Sequence, residues 1–368
     1  MKDEKFMARA IELATKGQLF SQPNPMVGCV ITKGDKIIGE GWHKSYGADH
    51  AEVNAIKNCK RKFGAQKAHQ LLQGSTLYVN LEPCSIEKNT PPCVDSVIQY
   101  GIKKVVCGTL DPNPKINGRG VKILKKSGVE VILGLLKKEC ADLNRIFFTN
   151  QKKRRPYIIL KSAQSIDGRI ALKNGQSSWI SNSQSRHDTH LLRSRVKGIL
   201  VGKNTAEKDN PSLTVRLPKE DLGLKENESL PRPVKIILGN LKETSKSKKI
   251  FLGDATVIIG SKQPSTKKKK VEYLHYKNKD FLDLFLRDLL SRNISSILVE
   301  GGQETLNAFI NKDLFDELVL YTAPLMLGKE SLNTMKIKSP AFIKKSKNLT
   351  LMKVEVFDHD IKATYYNQ

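Results

Sequence analysis

Along the first 150 residues the apolar positions switch between two spacings, every second residue in short runs and every third or fourth in longer ones. Met26–Thr32 and Lys36–Gly41 read as a hairpin joined at Lys33-Gly34-Asp35, where the glycine allows a positive φ. A helix is predicted over Ala51–Cys59, then strand Ser75–Leu81, helix Pro92–Tyr100, strand Lys103–Gly108, helix Arg119–Ser127 and strand Val129–Leu133. Lys137–Thr149 again has helical spacing. Residues 1–20 mix acids with bases and lack a continuous apolar stretch, so they read as an amphipathic helix and not as a secretory signal.

The basic segment Gln151–Arg155, followed by Pro156, interrupts this pattern and reads as a solvated linker. The expected domains are therefore 1–150 and 151–368. A second alternation follows: strand Tyr157–Ala163, helix Gln184–Val196, strands Gly198–Val201, Val234–Leu238 and Ala255–Ile259, helix Asp280–Arg292 and strand Ser296–Glu300. A helix from Glu304 and strands near Glu317–Tyr321 and Val354–Phe357 complete it. Leu217–Pro233 is polar and aperiodic, a surface loop. Alternating strands and helices, twice over, imply two α/β domains.

Composition narrows the classes. With 368 residues a sizeable core is available in each half, and no apolar run is long enough to span a membrane. Six cysteines are too sparse for a disulfide framework, so the protein is expected in the cytoplasm with its thiols reduced. The formal charge of +26 attracts polyanions and phosphorylated small molecules alike. Lysine is spread along the whole chain and aromatics are only 6%, unlike the patches of a nucleic-acid binder, and the run Lys267–Lys270 reads as a hydrated loop.

His50-Ala51-Glu52, Glu82-Pro83-Cys84 and Pro91-Pro92-Cys93 carry the first chemistry. One imidazole and two thiolates form a tripod that leaves a tetrahedral zinc one open position, where a bound water has a pKa near 7. Positions i and i+2 do not share a helix face, so His50 and Glu52 converge on one metal only off a helix amino terminus. Cys93 falls at another helix start and Cys84 just beyond a strand. H-x-E followed by P-C is the pattern of zinc deaminases, in which the Glu transfers protons and binds no metal, although eight residues separate the cysteines here. Cys29, Cys59, Cys107 and Cys140 lie in or beside apolar runs and read as core residues.

The second half has no G-x-G-x-x-G fingerprint, which argues against a Rossmann domain. Val299-Glu300-Gly301-Gly302 instead runs from a buried strand into a helix, and two glycines there let backbone amides approach a phosphate. Arg193 and Arg216 are candidates to hold phosphate as planar cations, with Ser212 adding a hydroxyl.

These residues in their order resemble the bifunctional deaminase/reductase (RibD) family of riboflavin biosynthesis. The first half matches through Asn24-Pro25-Met26-Val27-Gly28, Gly41-Trp42-His43, His50-Ala51-Glu52, Leu81–Cys93 and Asp111-Pro112-Asn113-Pro114. The second matches through Lys161-Ser162, Ser165–Arg169, Trp179-Ile180-Ser181, His190–Arg193, Asp209–Arg216 and Val299–Gly302. The resemblance implies a cytidine-deaminase-like three-layer α/β/α domain followed by a dihydrofolate-reductase-like α/β domain, with Zn2+ and NADPH as cofactors. It explains the wide cysteine spacing. It puts Asn24, His43 and Asn113 near a phosphorylated pyrimidine in the first site, and Arg193, Ser212, Leu213, Arg216 and Glu300 near it in the second. Lys161, Ser177, Trp179, Ile180, Ser181, Thr205, Asp209, Gly301 and Gly302 fall to the cofactor, with Lys161, Asp209 and Glu300 as candidates to orient the sugar and handle protons. Between the cysteines the family commonly reads S-H-x-G-[RK]-T-P-P-C; here Ile86 replaces the histidine and Asn89 the base, which makes Lys88 the candidate to hold the substrate phosphate.

The expected activity is zinc-dependent deamination of a diaminopyrimidine ribotide, then reduction of its ribosyl chain, with no nucleic-acid or membrane partner. A homo-oligomer is compatible with the sequence. The competing reading is a nucleic-acid base deaminase with an accessory nucleotide-binding domain, which leaves the second half without a role.

Overall fold

In the first half the two spacings become a sheet covered on both faces. The computed structural model describes residues 2–87, 91–177, 180–239, 248–252, 256–261, 271–277 and 280–367, and divides into compact units Met1–Arg154 and Arg155–Gln368. Helix α1 (Lys2–Thr15) leads into the predicted hairpin, β1 (Gly28–Lys33) and β2 (Lys36–Trp42). Then come α2 (Ala51–Phe63), α3 (Ala65–Leu72), β3 (Thr76–Leu81), α4 (Cys93–Gln99), β4 (Lys104–Thr109), α5 (Arg119–Lys126), β5 (Glu130–Leu133), α6 (Lys137–Leu143) and α7 (Arg145–Lys153). The sheet order is β2-β1-β3-β4-β5, with β3, β4 and β5 parallel.

Strand alternation sorts the apolar side chains onto the two faces. Cys29, Ile31, Leu77, Val79, Val105 and Cys107 pack with Ile56 of α2, Val94 and Val97 of α4 and Leu124 of α5. Val30, Tyr78 and Val106 point the other way, against Phe6, Met7, Ala10 and Leu13 of α1 and Cys140 of α6. This is the three-layer α/β/α sandwich, and the four cysteines outside the motif are fully buried in its core.

In the second unit β6 (Tyr157–Ser165), β7 (Arg169–Ala171), α8 (Ser183–Ser194), β8 (Gly198–Gly202), α9 (Lys203–Lys208), β9 (Val234–Leu238), β10 (Val257–Ser261) and β11 (Val271–His275) follow in order. After them come α10 (Phe281–Ser291), β12 (Ser296–Val299), α11 (Gln303–Asn311), β13 (Glu317–Ala323), β14 (Leu332–Asn333), β15 (Leu349–Phe357) and β16 (Asp360–Asn367). Among the described residues one sheet of nine strands has the order β11-β10-β9-β8-β12-β6-β13-β16-β15, parallel through β13 and antiparallel at β16 and β15. Leu282, Phe285, Leu286 and Leu289 of α10 and Leu306 and Phe309 of α11 cover one face. The mainly parallel sheet brings the carboxyl ends of β6, β8, β9 and β12 to one edge, where ligand crevices form in open α/β sheets.

The segment read as a solvated linker behaves otherwise. Gln151–Lys153 complete α7, and the Arg155 guanidinium is buried against Asp316 with N–O distances of 2.5 and 3.0 Å. The bidentate pair neutralises a charge that the core could not otherwise hold. The helical stretch Lys137–Thr149 is also two helices. Asn144 separates them, its side chain spending both functions on the Met26 backbone, N to Oδ1 at 2.8 Å and Nδ2 to O at 2.9 Å. The run Lys267–Lys270 and the residues Lys88, Asn89 and Trp179 lie outside the described residues.

Candidate active sites

His50 caps α2 in an extended conformation (φ −71°, ψ 164°), Cys93 is the first residue of α4, and Cys84 leaves β3 two residues after Glu82. Glycine at 41 makes the convergence possible: a Cβ there would collide with the α2 backbone at Ala51 and Ala55, so only glycine lets the helix press its first turn against β2. The ligand atoms of His50, Cys84 and Cys93 all lie within 4.8 Å of one another. His50 Nδ1 is 3.1 Å from Cys93 Sγ and 3.4 Å from Cys84 Sγ. The Cys93 amide donates to Cys84 Sγ at 3.3 Å, as expected at a helix start. With Cys93 and His50 hydrogen-bonded to it, the Cys84 thiol is held down at about 4 despite its burial, while Cys93 is pushed up. One nitrogen and two sulfurs at this spacing fit zinc with a position to spare.

Glu52 projects beside the tripod from the first turn of α2. It is 3% exposed, and burial pushes its carboxyl above the usual range against the opposing pull of His50. The His43 ring stands edge-on to His50, centroids 5.6 Å apart. Its Nδ1 donates to the Asp49 carbonyl at 3.1 Å, which leaves Nε2 to accept from Asn24 Nδ2 at 3.1 Å. Burial lowers the His43 pKa, with that carbonyl in opposition. Asn24 and His43 thus stand with the tripod.

Asn113 sits in a turn, its Oδ1 accepting from Lys115 N at 3.0 Å. The residue that fixes this turn is one that sequence reasoning left without a role. Glu82, 4% exposed, accepts backbone N–H bonds from Asp111 (3.2 Å), Gly118 (2.9 Å) and Val121 (3.3 Å). One carboxylate ties the exit of β3, and with it Cys84, to the Asp111–Gly118 loop and the start of α5. The available signal was an acid directly after an apolar strand, where burial demands partners.

The second site is a cavity of about 780 Å³ at the carboxyl edge of the second sheet. It gathers Lys161, Ser177, Ile180, Ser181, Thr205, Asp209, Gly301 and Gly302 with Arg193, Arg216 and Glu300. A Cβ on Gly301 would collide with Thr305, so β12 passes into α11 through a turn that leaves its backbone open to the cavity. A turn of this kind before a helix, in a cavity of this size, fits the pyrophosphate of a dinucleotide.

Two of the charges here already pair with each other. Arg193 holds Glu300 bidentately, Nε–Oε1 at 2.6 Å and Nη2–Oε2 at 2.8 Å, and reaches the Thr214 carbonyl at 3.2 Å. The expectation that Arg193 presents its fork to phosphate does not match this geometry, because Glu300 occupies it. Burial pushes Glu300 up, yet Arg193 and Lys161 hold it below the usual carboxylate range; burial lowers Lys161. Arg216 reaches Ser212 Oγ at 2.6 Å, and its amide donates to His190 Nδ1 at 3.2 Å. Leu213 is 2% exposed, at φ +48°, and lines a separate cavity of about 540 Å³ behind the loop.

Three further residues had no sequence signal. The Lys161 ammonium stands 5.3 Å from the centroid of the Tyr321 ring. The Tyr321 hydroxyl donates to Asp188, and Lys362 Nζ lies 2.7 Å from Asp188 Oδ2. They come from β13, α8 and β16, which no local spacing links.

Comparison with known proteins agrees with both halves. Residues 156–363 match the family described as "RibD C-terminal domain", and residues 1–109 match "Cytidine and deoxycytidylate deaminase zinc-binding region". The riboflavin biosynthesis protein RibD of Aquifex aeolicus (strain VF5) is 38% identical over 98% of this chain and 97% of its own length. The chain belongs to the RibD family. The Thermotoga maritima structure titled diaminohydroxyphosphoribosylaminopyrimidine deaminase/5-amino-6-(5-phosphoribosylamino)uracil reductase superposes with TM-score 0.87, at 35% identity, covering 100% of this chain and 99% of that one. An Acinetobacter baumannii RibD gives 0.87 at 32% identity with the same coverage. As a RibD the protein is a bifunctional enzyme of riboflavin biosynthesis, with a zinc-binding deaminase domain followed by a reductase domain that uses NADPH. Among the described residues no helix is long and apolar enough to cross a membrane.

Proposed function

We propose that the first unit deaminates 2,5-diamino-6-ribosylamino-4(3H)-pyrimidinone 5′-phosphate and that the second reduces the ribosyl chain of the product to 5-amino-6-(5-phosphoribitylamino)uracil. The observation that carries this reading is the tripod His50, Cys84, Cys93 with Glu52 buried beside it. When bound, zinc acidifies a water molecule, so that a nucleophile is available at neutral pH. Glu52 would take one proton from the attacking water and deliver it to the ring nitrogen, then take the remaining proton of the added hydroxyl and pass it to the departing amine, which leaves as ammonia as the carbonyl forms. Asn24, oriented by the neutral His43, presents its amide to the pyrimidine edge, and Asn113 closes the site through the loop that Glu82 holds.

In the second unit NADPH, when bound, supplies the hydride. Lys161 and Glu300 orient the opened sugar, Arg193 holds Glu300 ionised, and Arg216 with Ser212 takes the phosphate at the far end. Asp209 and Thr205 border the cofactor. The domain assignment 1–150 and 151–368, the cytoplasmic location and a phosphorylated pyrimidine as the partner belong to the same proposal. Six free cysteines are compatible with a reducing compartment.

The test uses the diaminopyrimidine ribotide. Glu52→Gln retains one zinc and loses ammonia release by at least about 10²-fold, while NADPH oxidation on the deaminated substrate persists. Loss of both activities in a folded, zinc-loaded variant refutes separate sites.

A further inference from the structure

The reductase cavity extends past the glycine turn toward β9, and this end carries two cations that the reaction does not use. Lys203 and Lys208, the first and last residues of α9, line the cavity. Among the described residues no carboxylate lies within ion-pair distance of either ammonium. Lys203 is held in place by a glycine. At Gly239, directly after β9, φ is +112°, and a Cβ would stand 3.3 Å from Cβ, Cγ and Cδ of Lys203. A larger residue would be strained there and would displace the stem. With glycine the backbone lies along the aliphatic stem and the charged head stays in the cavity.

The sheet order gives the position a meaning. From Lys161 on β6, past Glu300 after β12 and Gly202 on β8, to Gly239 after β9 are three interstrand steps, roughly 14 Å. The Gly301-Gly302 turn, placed for a pyrophosphate, lies between. An extended dinucleotide with its nicotinamide at Lys161 and Glu300 brings its adenosine ribose to Lys203. NADPH differs from NADH there by one phosphate on the ribose 2′-oxygen. Sites that select NADH put an acid on the ribose hydroxyls, and sites that select NADPH put a cation beside the phosphate. Here β9 ends at Leu238, and the Lys203 stem packs on the glycine that follows it. Two acids also face the cavity. Glu304 is tied by Asn204 Nδ2 at 3.1 Å, and burial pushes the Asp209 carboxyl up, with Lys208 in opposition.

We infer that Lys203, packed on Gly239 and assisted by Lys208, is the 2′-phosphate subsite that makes this reductase select NADPH over NADH. The inference rests on the reductase reading and adds to it the residues that discriminate the cofactor.

Calorimetry on the full chain with 2′,5′-ADP and 5′-AMP tests it, since these probes differ only in that phosphate. The wild type is expected to bind 2′,5′-ADP at least about tenfold tighter, with a steeper salt dependence. Lys203→Ala should close most of that gap without weakening 5′-AMP. Lys203→Arg should preserve it, and Lys208→Ala should narrow it less. A folded Lys203→Ala/Lys208→Ala protein that still discriminates as the wild type does overturns the inference while leaving the reductase reading intact. A wild type that binds neither probe nor NADPH overturns the reductase reading itself.

Discussion

The two active sites solve the problem of buried charge differently. In the first unit two helix starts and a strand exit deliver three candidate metal ligands to one point, and His50, Glu52, Cys84 and Cys93 all lie within 44 residues of sequence. In the second, Lys161, Arg193 and Glu300 come from a strand, a helix and a strand end, and the one carboxylate is paired with Arg193 and draws on Lys161. The first arrangement depends on a cation for its chemistry and little on itself for stability. In the second, Glu300 is held by cations of the protein itself, so disturbing it disturbs the fold as well. Removing the cation is therefore expected to have the largest effect confined to one activity: a chelator should abolish ammonia release and leave NADPH oxidation on the deaminated substrate unchanged. Restoration by stoichiometric zinc checks it. Parallel loss of both activities would erase the contrast.

Glu300→Gln probes the other side. It leaves Arg193 and Lys161 buried without their carboxylate, and breaking such a pair costs about 3 kcal/mol. NADPH oxidation should fall by at least about 10²-fold, and the second unit should unfold at lower denaturant, with ammonia release retained. A variant with unchanged stability would show that the charges here are no more coupled than those of the tripod.

This contrast also decides what was legible in the sequence. The tripod could be read because each ligand sits beside its own signal: prolines before Cys93, an apolar strand before Cys84, and Glu52 two residues from His50. The elements that carry it follow their spacing, and the hairpin, β3, α4 and α5 lie within two residues of expectation. Failures came where long-range contacts override local pattern. Arg155 looks solvated by composition but is buried by Asp316, 161 residues away. Helix α3, with its polar sequence, and strands β11 and β16 gave no clear period. Asp188, Tyr321 and Lys362 meet only because β13 pairs with β16. Glu82 was visible as a residue and invisible as a support, because its three partners are backbone amides.

Glu82→Gln gives a smaller effect and tests whether the first site is as independent of its surroundings as the tripod suggests. A glutamine offers one oxygen where the carboxylate accepts from three amides, and its NH2 faces donors. The expected result is about a tenfold loss in kcat/KM for ammonia release, mainly through KM, with zinc stoichiometry unchanged. A loss of zinc would instead place Glu82 in support of Cys84 alone.

The smallest effect is a pH dependence. Burial, with Arg193 and Arg216 nearby, holds His190 at about 4, and its Nδ1 accepts the Arg216 amide. An unfolded histidine titrates near 6.5, so between about 6.5 and 4 the unfolded chain binds the extra proton. The stability that the neutral ring contributes is fully present above about 6.5 and is lost as pH falls toward 4. Because half the ring is exposed, solvent screening reduces the change to about 1 kcal/mol. His190→Asn removes the titrating group, so the difference in urea midpoint between wild type and variant should shrink from pH 7 to pH 4.5. A constant difference would mean that the ring is solvated enough to protonate in place, and that the two arginines and Glu300 screen one another so completely that the second site carries no net field at His190.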